Sequence, residues 1–214
     1  MSQTWFTSDL HLNHEGILEY TERGAYLQRQ WQASEFHRAA GATGPATSDE
    51  HNKWVIDTLN YYVAERDQLY ILGDVYFGAN QWMAGYWISQ INCVHKHLVC
   101  GNHDRTLFDF YASSDLFESV VEHRTEIKLN GHRIVLDHHP IAEWNNGHHK
   151  SWHLHGHSHG NFNYERANLH DKRILDVGWD NGPKIMGRYG PFSYEKVEAY
   201  MEGRTSIDHH GKAD

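Results

Sequence analysis

Apolar positions along the chain recur with two periods, one suited to short strands and one to helices. Thr4 to Ser8 is a brief apolar stretch that runs straight into Asp9-Leu10-His11, which predicts a strand opening into a polar loop. Thr47 and Glu50 have capping-box spacing, and Val55, Leu59 and Tyr62 follow at helical intervals, so a helix is predicted over 48–64. Residues 68–72 read as a strand ending at Gly73-Asp74. Over 79–91, Trp82, Met83, Tyr86 and Trp87 lie at helical spacing, predicting a helix that packs this stripe on the core. Residues 96–100 form the next strand and end at Gly101-Asn102-His103-Asp104. Two apolar runs, 126–129 and 132–136, flank Asn130-Gly131, a strong hairpin signal, and lead into Asp137-His138-His139-Pro140. The strand over 152–155 enters Gly156-His157-Ser158-His159; a last strand covers 174–177 and a last helix 193–201. The stretch 19–46, with Gly24, Gly41, Gly44 and Pro45, reads only as a partly helical excursion.

Alternating strands and helices indicate a layered α/β fold. The 214 residues suit one domain over 1–202, with 203–214 expected to fray as a flexible tail. No apolar run approaches the ~20 residues of a membrane span. The first residues lack a signal peptide's basic start and apolar run, so a cytoplasmic location is expected. Cys93 and Cys100 show no zinc-type pairing and read as reduced and buried. A formal charge of −9 argues against strong nonspecific binding to long nucleic acid, although bound cations would offset part of it. The 20 histidines are unusual, and their meaning depends on where they fall.

Five of the predicted strands deliver metal-ligand residue types just past their C-terminal ends: Asp9 and His11; Asp74; Asn102 and His103; His138; His157 and His159. Strand-end loops are where α/β folds place chemistry. Carboxylate, imidazole and amide oxygen are ligands for a divalent metal without thiolate. Each motif alone is weak, since a Gly-Asp after a strand is usually a turn. Their order and common location make a purely structural account a poor fit.

In these motifs the chain resembles the calcineurin-like metallophosphoesterases, in their compact bacterial and phage branch. The resemblance spans residues 4 to about 180 and rests on Asp9-Leu10-His11, Gly73-Asp74, Gly101-Asn102-His103-Asp104, His138 and Gly156-His157-Ser158-His159. It implies two facing mixed sheets flanked by helices, a four-layer sandwich with the metals at one edge. It further implies that Asp9, His11 and His159 hold one divalent ion, that Asn102, His138 and His157 hold another, and that Asp74 bridges them. Manganese is the first expectation, with iron, nickel, cobalt and zinc as alternatives. A metal-bridging hydroxide would attack the phosphorus of a small phosphate ester, a nucleotide among the candidates. His103 would protonate the leaving oxygen and Asp104 would orient His103.

His139 competes with His138 as the ligand, and the His-x-Pro spacing favours His138. Asp176 and Asp180 are candidates to hydrogen-bond a ligating histidine. Trp144 and Trp152 are candidate base-stacking rings. The alternatives are a nuclease, which the absence of a basic stripe disfavours, and a noncatalytic scaffold of the same fold, which the intact ligand set disfavours.

Overall fold

The computed structural model describes residues 2–33 and 46–207. Its strands are β1 (Thr4–Thr7), β2 (Gln68–Ile71), β3 (His95–Val99), β4 (Ser119–Val121), β5 (Arg124–Leu129), β6 (His132–Asp137), β7 (Trp152–His155), β8 (Ile174–Asp176) and β9 (Phe192–Ser193). They form two mixed sheets, ordered β4-β3-β2-β1-β9 and β5-β6-β7-β8. In the first, only β9 runs antiparallel to its neighbour; in the second, only the β5–β6 pair is antiparallel. The helices are α1 (Ile17–Tyr20), α2 (Arg23–Ala33), α3 (Ser48–Tyr62), α4 (Gln81–Ser89), α5 (Phe108–Ser113), α6 (Gly182–Met186) and α7 (Tyr194–Met201).

The period of two along each strand divides the core. Trp5, Leu69, Ile71 and Leu98 face outward from the first sheet and cluster with Val55, Ile56 and Leu59 of α3 and with Ala84, Trp87 and Ile88 of α4. Phe6, Leu72 and Val99 project from the opposite face of that sheet. They meet Ile134, Leu136, Trp152, Leu154 and Leu175 of the second, so the two sheets pack face to face. The outer face of the second sheet, with Val135 and Ile174, is covered by Trp144, Leu169 and Ile207 from irregular segments. Among the described residues this fourth layer is therefore made of loops.

The capping box of α3 is present, with Thr47 and Glu50 each bonding the other's backbone. The hairpin forms as expected, both Asn130 (φ 48°) and Gly131 (φ 86°) taking the left-handed conformation of a primed turn. Three expectations change. In α4 the core-facing stripe is Ala84, Trp87 and Ile88, whereas Trp82 is 73% and Tyr86 48% exposed. A helix of nine residues offers its sheet one stripe, and positions 82 and 86 lie nearly opposite it. Trp144 and Trp152 are buried and carry no free ring face. The chain after Gly203 stays packed as far as Ile207, through a Lys172–Thr205 bridge and burial of Ile207; residues 208–214 lie outside those described. No helix among the described residues is long and apolar enough to cross a membrane.

Candidate metal centre

The loops after β1 and β2 leave the sheet side by side and keep pairing. The backbone N–H groups of Asp9 and His11 donate to the carbonyls of Gly73 (3.0 Å) and Asp74 (2.9 Å). Beyond β8, Gly178 forms a parallel bridge with Ser8, which joins the two sheets at this end. Close approach of these loops requires glycine. A Cβ on Gly101 would lie 2.2 Å from Asp74 Oδ1, and one on Gly156 would lie 1.9 Å from Ser8 Oγ. Ten described non-glycine residues have positive φ, and five are candidate ligands: Asp9, His11, Asp74, His157 and His159. Such a backbone is uncommon away from glycine, although Asp, Asn and His adopt it most readily. Strained backbone of this kind tends to gather at functional sites.

The side chains converge as two donor groups. Asp9, His11 and His159 point ligand atoms at one another, with Asp9 Oδ1 3.9 Å from both imidazole Nε2 atoms. On the other side, Asn102 Oδ1 lies 3.1 Å from His138 Nε2 and 3.1 Å from His157 Nδ1. Asp74 stands between them, its Oδ2 3.7 Å from His11 Nε2 and 3.4 Å from His138 Nε2. All seven ligand candidates thus meet at one place. His139 is half-buried, with its ring 4.4 Å from that of His157. It could join His138 and His157 around an ion, but it is His138 that faces Asp74 and Asn102.

Neighbouring groups set which imidazole nitrogen faces the centre. His138 Nδ1 lies 2.7 Å from the carbonyl oxygen of Leu72 and donates to it, leaving Nε2 inward. His159 Nδ1 lies 2.6 Å from Asp180 Oδ2, again leaving Nε2 inward. Asp180 therefore makes the hydrogen bond considered for it, to the candidate ligand His159. Asp176 does not, its carboxylate accepting instead from the backbone of Gly160 and Gly178. His11 Nε2 is buried and has no hydrogen-bond partner among the described residues. An imidazole nitrogen held without a partner beside two carboxylates fits a cation, and so does an amide oxygen set between two imidazoles.

Asp104 differs from expectation. It does not orient His103: both its oxygens accept from backbone N–H groups, Oδ2 from Asp74 (2.7 Å) and Gly101 (2.8 Å), Oδ1 from Val75 (3.1 Å). It is fully buried and ties the β2 loop to the β3 loop. His103 itself is partly exposed, its Nε2 3.9 Å from Asp74 Oδ2 and its backbone N–H donating to Asp74 Oδ1.

Arg23 escaped the sequence reading. It is fully buried at the start of α2 and grips Asp180 with Nε and Nη2 (2.9 and 2.8 Å). The same guanidinium donates to the carbonyls of Asp9 (2.6 Å) and Leu10 (3.0 Å). It thereby connects α2, the β1 loop and, through Asp180, His159.

Protonation follows from this crowding. Burial pushes Asp9 up to about 6, with His138 and His159 pulling the other way. Burial, aided by Arg23, holds His11 well below the usual imidazole range. For His138 burial opposes the charged form, but Asp74 and Asp9 outweigh it and raise the group to about 9. Burial likewise works against the Asp180 carboxylate, and Arg23 with His159 overcomes it to keep the group ionised. Burial lifts Asp104 to about 6 despite its three N–H donors.

A cleft of about 1020 Å³ opens beside this cluster, with His11, His103 and His159 at its floor and Tyr20, Phe77 and Tyr189 among its walls. No protein-family profile matches the chain. The chain is similar to the Gene 66 proteins of Mycobacterium phage L5 (27% identity over 88% of this chain and 91% of that one) and phage D29 (26%, over 84% and 89%). It is also similar to protein MJ1445 of Methanocaldococcus jannaschii (24%, over 81% and 78%). Among solved structures, the protein of unknown function AQ665 from Aquifex aeolicus shares the fold, with a TM-score of 0.62 at 20% identity, covering 94% of this chain and all of that one.

Proposed function

We propose that the chain is a metal-dependent phosphoesterase of the calcineurin-like type, hydrolysing a small phosphate ester at a centre for two divalent cations. The observation that carries this reading is the position of Asp74. Its Oδ2 lies within 4 Å of both His11 Nε2 and His138 Nε2, so one buried carboxylate serves both donor groups. Asp9, His11 and His159 would hold one cation, Asn102, His138 and His157 the other, with Asp74 shared. The donor set suits manganese, iron, nickel, cobalt or zinc. When bound, two such ions supply the Lewis acidity that activates water and steadies the phosphate oxygens. His103 reaches the cleft without being needed as a ligand, so its imidazole is free to donate a proton to the departing oxygen. The facing sheets, with α3 and α4 outside the first, support the family's layered sandwich. Here loops stand in for the fourth layer.

The test is a hydrolysis screen on purified protein stripped with chelator and reloaded with Mn, Ni, Co, Zn or Mg. Nitrophenyl monoester and diester serve as substrates, and metal content is measured in parallel. The expected result is about two ions per chain and activity that returns with them. Protein that takes up no ion, or hydrolysis that chelation leaves untouched, would refute the reading.

A further inference from the structure

The cleft beside the metal centre is far larger than a phosphate group needs, and its walls have a definite chemistry. Few large apolar side chains are exposed among the described residues, and two of them, Tyr20 (78%) and Phe77 (37%), line this cleft. Their rings are linked to the candidate proton donor. His14 stacks on Phe77 with centroids 4.0 Å apart and planes inclined by 17°. Phe77 meets His103 edge-on at 5.1 Å, and Tyr20 meets His14 edge-on at 6.3 Å. A chain of touching rings therefore runs from His103 through Phe77 and His14 to the exposed Tyr20.

The charged groups on the walls say what else would fit. Glu19 and Glu22 line the cleft. Lys184 is the one lysine or arginine among the described lining residues, and its ammonium already donates to Gly160 O (2.7 Å) and Asn161 Oδ1 (3.1 Å). Among the described lining residues, a second phosphoryl group on the organic side of the ester would meet one ammonium, already bonded to two neutral oxygens, against the two carboxylates of Glu19 and Glu22. A flat, uncharged ring system would find stacking partners.

We infer that the substrate is an ester of one phosphoryl group whose organic arm carries a planar, uncharged ring, a nucleobase or similar heterocycle, laid along Tyr20 and Phe77. The inference rests on the phosphoesterase reading for the position of the phosphoryl group. Stacking on aromatic side chains tolerates many ring types, so class selectivity is expected in place of strict base identity.

Calorimetric titration of the manganese-loaded protein tests this with three ligands that resist hydrolysis: methylphosphonate, the methylene phosphonate of adenosine, and its diphosphate analogue in which both the ester oxygen and the bridging oxygen are replaced by methylene. The adenosine phosphonate should bind at least about tenfold more tightly than methylphosphonate, as stacking on one or two rings supplies. The added phosphoryl group of the diphosphate analogue should give no further tightening. Tyr20→Ala and Phe77→Ala should each shrink the ratio of adenosine phosphonate to methylphosphonate affinity severalfold. Tyr20 is exposed, so its replacement leaves folding intact. Equal affinities, ratios unmoved by both variants, tighter binding of the diphosphate analogue, or no binding of any ligand would each overturn the inference. A ring-dependent gain in a protein that hydrolyses no ester would uphold the aromatic wall while removing the proposed activity.

Discussion

His103 and Asn102 are adjacent in sequence and opposite in use. Asn102 turns its amide oxygen between His138 and His157, while His103 stands partly exposed at the cleft floor, 3.9 Å from Asp74. Replacing His103 by Ala should leave metal content near normal and slow hydrolysis by about 10²–10⁴-fold, the range for loss of a general acid. Steady-state rates on two esters decide the role. A nitrophenolate leaving group needs little protonation and should suffer less than a ribose alkoxide. Equal slowing on both would make His103 a phosphate-positioning group, and loss of metal would make it a ligand. The convergence of Asp9, His11, Asp74, Asn102, His138, His157 and His159 could be anticipated because each follows a strand with a strong apolar signal. The task of Asp104 could not. Whether a carboxylate turns toward the next side chain or toward three backbone N–H groups depends on loops meeting across 30 residues of chain.

At the scale of elements, α2 contributes the least expected part of the site. Arg23 occupies a stretch whose glycines obscured the helical period, and its partner Asp180 lies 157 positions away, so no local pattern announces the pair. The guanidinium has water on no side and satisfies two carbonyls and one carboxylate at once. Truncation to Met would strand the buried Asp180 charge and should cost about 3–5 kcal/mol of stability. It should also weaken metal binding, because Asp180 holds His159 by Nδ1. Urea unfolding and metal titration of Arg23→Met, Asp180→Asn and the double variant check this. If the two residues act as a unit, the double variant should lose clearly less than the sum of the singles. Additive losses would mean that Arg23 acts through its other partners, the Asp9 and Leu10 carbonyls and His51. Elements with long apolar periods, such as α3 with its capping box, were readable. Short ones, such as β4, β9 and α6, were not, since their formation depends on the neighbours they meet.

For the whole molecule, two buried histidines outside the donor groups bear on its acid tolerance. His51 and His153 are fully buried, and burial holds each down to about 3, helped by Arg23 for His51 and His155 for His153. Their folded values lie below the ordinary imidazole value of 6.5, so the unfolded chain binds more protons between about pH 6.5 and 3. The stability these neutral rings confer is complete above 6.5 and lost as pH falls through that window, by up to about 1.4 kcal/mol per pH unit for each. In urea unfolding of chelated protein from pH 7 to 4.5, the raised carboxyls of Asp9 and Asp104 act in the opposite direction, so the check is a difference: His153→Gln should lose less stability on acidification than the wild type. An unchanged slope in that variant would place the acid sensitivity elsewhere. The layered α/β class followed from the alternation of strand and helix signals, and two facing sheets were what the family resemblance implied. The loop-built outer layer did not, because Trp144, Leu169 and Ile207 gather from three separated segments.

The left-handed backbone at five of the candidate ligand positions has a consequence for how this sequence can drift. At Asp9, His11, Asp74, His157 and His159 a substitution meets two independent sieves. One is the loss of a donor atom, the other a main-chain shape that β-branched and bulky residues resist. Asparagine passes the second sieve and supplies a neutral oxygen in place of a charge or an imidazole. Glycine passes it too, but empties the position. The alphabet open at these sites is thus narrower than metal chemistry alone would make it: a glutamate could still offer a carboxylate at Asp74, yet its longer stem would have to rise from a turn shaped for aspartate.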